Sequence, residues 1–160
     1  MNQEIKVTNE VLDYLASLKM PSTGLEKICL SSWDGTIESA FDSIVIERLL
    51  LKVTNLKTLD FHGTKLDVKG KEILVDLIAQ IITTSTCLTK IFLDSNDLSG
   101  PMTTVLLNAL SMSPSVESIE SIHFFHSADL KENDACIALA DFLANATSLK
   151  EFRIGGYKGR

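Results

Sequence analysis

The chain is short of the features that usually announce chemistry. Cysteine is scarce: Cys29, Cys87 and Cys136 are 3 in 160 residues. They are odd in number, widely spaced and without a C-x-x-C pair, so they form neither a disulfide framework nor a zinc site. Buried or half-buried thiols in a reducing compartment are expected instead. Cationic charge is also short, with 15 Lys and Arg against 21 Asp and Glu, a formal net charge of −6 and a pI near 5.0. The longest basic concentration is the tail "YKGR". That disfavours a nucleic-acid partner, which needs clustered cations along its phosphates, and an anionic membrane surface for the same reason. No run of about 18 apolar residues is present, so no membrane span is expected. The opening "MNQEIKVTNE" has no apolar h-region, which argues against a secretory signal and for the cytoplasm. In such a chain the sequon "NAT" at Asn145 reads as coincidence. A phosphate loop is missing too, because "GGYKG" lacks the spacing and the following helix that a P-loop requires.

What is present is an ordinary globular composition, 45% apolar and 22% charged, in a length suited to one domain with a sizeable core. The informative feature is internal. Residues 88–98, "LTKIFLDSNDL", reduce to L-x-x-I-x-L-x-x-N-x-L. Close variants begin at Leu25, Leu56, Ile119 and Leu149, so the five starts are 31, 32, 31 and 30 residues apart. A fixed period of this length marks a stack of similar units. Between the starts lie stripes of helical spacing: Val11, Leu12, Leu15 and Leu18; Phe41, Ile44, Val45 and Leu49; Leu74, Leu77, Ile78 and Ile81; Val105, Leu106, Ala109 and Leu110; Ala135, Leu139, Phe142 and Leu143. Ser99-Gly100-Pro101 offers a cap and an early proline, and Asn133 can cap the last helix. Each unit therefore reads as a short strand, a turn and a helix.

The skeleton resembles the leucine-rich repeat, and its long period with a full helix per unit resembles the ribonuclease-inhibitor type. The likeness covers residues 25–159, and residues 5–24 look like the second half of a preceding unit. It implies an α/β fold: a leucine-rich-repeat solenoid, a right-handed horseshoe segment with a parallel sheet on the concave side and helices on the convex side. The expected domain is 1–160, with a half repeat or cap helix at 1–24, repeats starting near 25, 56, 88 and 119, and an incomplete last repeat at 149–160. One strand and one helix cannot bury their apolar faces alone, whereas stacked units can. In this family the ninth position, usually Asn, satisfies backbone groups of the turn. Here it is Trp33, Thr64, Asn96, Ser127 and Tyr157. Only Asn96 is the family residue, so the first and last turns are expected to be irregular.

Alternation along a strand sends the fourth and sixth positions to the core and the third, fifth and seventh to the opposite face. The third-position column is Lys27, Thr58, Lys90, Ser121 and Glu151; the fifth is Cys29, Asp60, Phe92, His123 and Arg153; the seventh is Ser31, His62, Asp94, Phe125 and Gly155. Phe92 and Phe125 are expected to be exposed, ringed by Asp60, His62, Asp94, His123 and Arg153, which is the composition of a protein-binding patch. The bland alternative is that the phenylalanines pair across strands and only stabilise the sheet. His62 is expected to pair with Asp94. The mixed-charge stretches 67–72 and 129–134 read as solvated faces.

The expected function is thus a protein–protein interaction module with no enzyme activity. An alternative is a segment of a larger repeat protein without independent activity, since the chain starts inside a unit and stops just after a strand; end-to-end self-association fits that picture. The family resemblance adds innate-immune receptors, ubiquitin-ligase adaptors, small-GTPase regulators and host-delivered bacterial effectors as contexts. A remote alternative is a hydrolase using Cys29, Asp60 and His62, the parts of a nucleophile set. Against it, Asp60 and His62 are two apart on one strand, with alpha carbons separated by about 7 Å. A metal held by His62, His123 and Asp94 is disfavoured, because the two histidines lie two strands apart, near 10 Å. No cofactor is expected.

Overall fold

The structure, a computed structural model, describes residues 26–29, 53–63, 68–125, 130–131 and 133–155. In chain order the elements are strand β1 (Lys27–Cys29), strand β2 (Thr58–Asp60), helix α1 (Val68–Thr84), strand β3 (Lys90–Phe92), helix α2 (Gly100–Ser111), a short 3-10 turn (Val116–Ser118), strand β4 (Ser121–Phe125), helix α3 (Asn133–Asn145) and strand β5 (Glu151–Gly155). The fold is mixed α/β. All five strands form one parallel sheet in the order β1-β2-β3-β4-β5, so chain neighbours are also sheet neighbours. The helical stripes expected at 11–18 and 41–49 lie outside the described residues, as do Trp33, Thr64, Ser127, Tyr157, Ser31 and the tail.

Among the described residues the repeated apolar marks of β2, β3 and β4 turn to one side of the sheet. Leu59, Ile91 and Ile122 are fully buried, as are Phe61, Leu93 and Phe124 two residues further on. They share one cluster with the buried stripes of the helices. In α1 that stripe is Leu74, Val75, Leu77, Ile78, Ile81 and Ile82, and in α3 it is Ala138 and Phe142; Ala135 of α3 is buried as well. In α2 it differs from the expected one: Val105 is 41% exposed, and Met102, Leu106, Leu107, Ala109 and Leu110 face inward. Leu143 is 43% exposed as well. Both sit one step off the stripe, where a helix of 3.6 residues per turn carries them round to solvent. Each fully buried aliphatic side chain contributes on the order of 1.5–3 kcal/mol, so this cluster dominates the stability.

Hydroxyl and amide side chains tie successive units together in the interior. Ser85 Oγ donates to the carbonyls of Val53 and Ile81, at 2.8 Å each. Ser113 Oγ donates to Ile82 O at 3.0 Å, and Ser115 Oγ to Ser85 O at 2.7 Å. Ser115 Oγ also accepts from Leu88 N at 3.0 Å. Asn96 is 4% exposed and donates through Nδ2 to Phe61 O at 2.9 Å and Leu93 O at 2.8 Å. It thus closes its own turn and reaches back to the turn before. Ser99 stands at the N-cap of α2 in an extended conformation with Pro101 in the first turn, but its side chain makes no capping bond. Its carbonyl accepts instead, from Thr103 N and Thr103 Oγ1 at 2.9 Å each. Asn133 is the first residue of α3. Lys71, in a stretch expected to be solvated, reaches across to Asp97 O at 3.1 Å.

Two turns share a left-handed position but place different residues there. Gly63 (φ 68°) and Ser95 (φ 59°) both take the left-handed conformation at the eighth position. A residue with a Cβ is strained there by roughly 1–2 kcal/mol, partly offset by the larger unfolded-state entropy of glycine. Ser95→Gly is therefore expected to raise unfolding free energy by roughly 0.5 kcal/mol. Asn96→Leu is expected to lower it by about 2–3 kcal/mol, because two buried carbonyls lose their donor. Urea titrations of both variants against the parent chain measure the two shifts.

Candidate functional site

Because the even positions are committed to the core, the odd ones share the face away from the helices. Strand pairing aligns them in rows. Lys27, Thr58, Lys90, Ser121 and Glu151 are mutual neighbours across the sheet, and so are Cys29, Asp60, Phe92, His123 and Arg153. The structure thus brings Asp60, Phe92, His123 and Arg153 into one row, with His62 and Asp94 just beyond it. Phe125 pairs through its backbone with Gly155.

Phe92 is half-buried rather than exposed. Its ring meets His123, directly across on β4, edge to face, with centroids 4.8 Å apart at 76°; the side chain of Phe125 lies outside those described. Register decides this, since the fifth position of β3 faces the fifth of β4. His123 is the centre of a polar cluster. Its Nδ1 lies 3.5 Å from Asp94 Oδ2 and its Nε2 lies 3.3 Å from Glu151 Oε2, with only 12% of the side chain exposed. Ser121 Oγ sits 3.3 Å from the same Nε2 and 3.4 Å from Glu151 Oε2. Ser121 itself is buried, although its position predicted an outward side chain. Arg153 donates to Glu151 Oε1 through Nε at 2.8 Å and lies 2.6 Å away through its second nitrogen. The guanidinium of Arg153, and then His123, hold the Glu151 carboxyl below its ordinary value of 4.5. Glu151 joins the predicted residues here; its signal was its place in the third-position column.

The second cluster corrects two expectations. His62 does not take Asp94 as its carboxylate; Asp94 belongs to His123. His62 Nδ1 lies 2.7 Å from Asp60 Oδ1, and its backbone N–H also donates to that oxygen at 3.3 Å. The alpha-carbon spacing of a strand therefore did not keep these two apart. β2 ends at Asp60, and the chain turns at His62, which swings the imidazole back over the carboxylate. On the other side Cys29 Sγ donates to Asp60 Oδ2 at 3.4 Å. Asp60 therefore stands between thiol and imidazole, whereas a nucleophile–base–orienter set places the imidazole in the middle. Cys29 and Cys136 are exposed and Cys87 is half-buried, so burial of the thiols was overestimated.

Among the described residues no three of His, Cys, Asp and Glu converge as a metal-binding group. No described helix is long and apolar enough to cross a membrane. A crevice lined by Lys71, Leu74, Ile78, Leu93, Asn96 and Leu106 measures about 10 Å³. That is the lower limit for one water and far below the size of a small-molecule site.

Partial burial pushes the Asp60 carboxyl up, but the bonds from His62 side chain and backbone and from Cys29 outweigh it and hold it below 3.8. A carboxyl lowered on folding stabilises the protein above its unfolded value, and that contribution is lost as pH falls through the folded value. His62→Ala is therefore expected to move the onset of acid unfolding to higher pH, and Glu151→Gln to remove part of the acid dependence. Circular dichroism followed down through the carboxylate range measures both. Compared with protein-family models, with curated proteins and with solved structures, the chain matches none of them.

Proposed function

We propose that this chain is a protein–protein interaction module of the leucine-rich-repeat kind, a solenoid segment that binds a partner protein on the sheet face away from its helices. It is read as a non-enzymatic, cofactor-free module working in the cytoplasm. The observation that carries the reading is the in-register row Cys29–Asp60–Phe92–His123–Arg153, on the face opposite the described helices.

The composition of that row supports protein recognition. Phe92 supplies an aromatic anchor, held at a fixed angle by His123. Around it Asp60, Asp94 and Glu151 are already engaged by His62, His123 and Arg153. Such preset polar groups lose little side-chain freedom on binding, and a rigid aromatic surrounded by them is how interface anchors are built. The recurring backbone bonds that fix the strands also fix the spacing of the row, so contact residues sit on a rigid element rather than on loops. The order thiol–carboxylate–imidazole in the Cys29 cluster gives the hydrolase reading no support.

The test compares three forms of the chain as bait in a lysate of the source cells: the parent, Phe92→Ser/Phe125→Ser, and a helix-side control, Ile137→Ser, at a site 57% exposed on α3. A protein held by the parent and the control is expected to be lost from the double variant, with affinity for the purified partner falling by more than about 2 kcal/mol. Equal capture by all three folded baits would place binding elsewhere and overturn the reading.

A further inference from the structure

We propose that the outer edge of β5 is a docking site for a second copy of this chain, which adds its β1 edge in parallel and continues the sheet head to tail. It concerns the sheet edge rather than the open face, shares only Glu151 with the cluster described above, and rests on three observations.

The first is burial. The fourth and sixth positions are fully buried in the units of β2, β3 and β4, at 0–1% exposure, whereas Phe152 and Ile154 in β5 are only half-buried. The units of β2 and β3 are followed by a further strand and helix of the same chain, and that of β4 by β5. The surface that β5 presents is of the kind these units already cover.

The second is the hydrogen-bond series. At each strand junction one carbonyl accepts two N–H groups from the next strand. Glu26 O takes Lys57 N and Thr58 N at 2.8 and 3.1 Å, and Lys57 O takes Thr89 N and Lys90 N at 2.9 and 3.0 Å. Thr89 O takes Glu120 N and Ser121 N at 2.8 and 3.1 Å, and Glu120 O takes Lys150 N and Glu151 N at 2.8 and 3.0 Å. Lys150 O is the next acceptor in the series. The groups that match it are the N–H of Glu26 and Lys27, at the opposite edge of the described sheet.

The third is charge, and it selects the second copy. Extending the observed register by one strand places the second copy's Lys27 beside Glu151 and its Glu26 beside Lys150. Both pairs are of opposite sign. The Lys150–Glu26 contact repeats a pairing the chain already makes twice, Lys57 Nζ to Glu26 Oε1 and Lys150 Nζ to Glu120 Oε1, each at 2.9 Å. Docking therefore joins these into one alternating row, Glu120, Lys150, Glu26 and Lys57. At a strand edge, charge ordinarily discourages pairing. Here the charges of the two edges complement each other, which fixes partner and register instead. Because the two edges differ, the contact is heterologous, and successive copies add in one direction.

Sedimentation velocity of the whole chain tests this. Mass is expected to rise with concentration in whole-chain steps, and the association to weaken at high salt. Lys27→Glu, at an exposed position of β1, is expected to weaken it roughly three- to tenfold. Glu151→Lys should do the same, and the double variant Lys27→Glu/Glu151→Lys should restore it. Circular dichroism checks folding, and Lys27→Glu alone keeps the test decisive if Glu151→Lys disturbs the His123 cluster. A monomer at every concentration up to about 1 mM, the weak end of specific association, would overturn the proposal. So would association indifferent to Lys27→Glu, or a double variant no better than the singles.

Discussion

The structure depends on the lateral register of the parallel strands. A single carbonyl at each junction takes two N–H groups of the following strand, and this repeats from Glu26 to Glu151 without a slip. Strands as short as the three residues of β1, β2 and β3 hold little by themselves. Their pairing is strong because the same register buries Leu59, Ile91 and Ile122 side by side and stacks Phe61, Leu93 and Phe124 in the next layer. A one-residue slip would turn every one of these to solvent and bring Asp60, Phe92 and His123 into the core. Apolar burial and backbone pairing thus specify one another.

The buried hydroxyls extend that constraint beyond the sheet. Connections between strands and helices carry backbone carbonyls into the interior, where each needs a donor. Ser85, Ser113 and Ser115 supply donors across a separation of about one repeat, and Asn96 does so for the strand-to-helix turn. These bonds contribute less than apolar burial, but leaving the carbonyls unpaired would cost more than the bonds gain. Small polar residues therefore recur in the loops that close α1 and α2. They are as much a part of the repeat as its leucines.

The arrangement of the open face is a by-product of the same arithmetic. Once the even positions are buried, the odd ones form rows whose spacing the backbone sets. Within the rows, side chains choose their partners by local geometry. His123 is held by groups on both neighbouring strands, Asp94 beyond β3 and Glu151 on β5, so it fastens the strands together on the open side. Asp60 collects Cys29 from β1 and His62 from its own turn. Phe92 stands where the two clusters approach, between Asp60 on β2 and His123 on β4.

The sequence by itself determined the architecture of the described part: the period, the strand positions, the helical stripe of α1, the rows on the open face and the turn-closing role of Asn96. Those follow from side-chain alternation and helical periodicity, which are properties of the chain read one residue after another. Tertiary structure alone decided which partners meet. The pairing of Asp60 with His62 depends on the strand ending at Asp60, and the meeting of Phe92 with His123 depends on register between strands. The serine bonds depend on where carbonyls are left unpaired. Each of these is set by contacts between residues 27 to 35 apart or by the end of an element, and no local pattern encodes those distances.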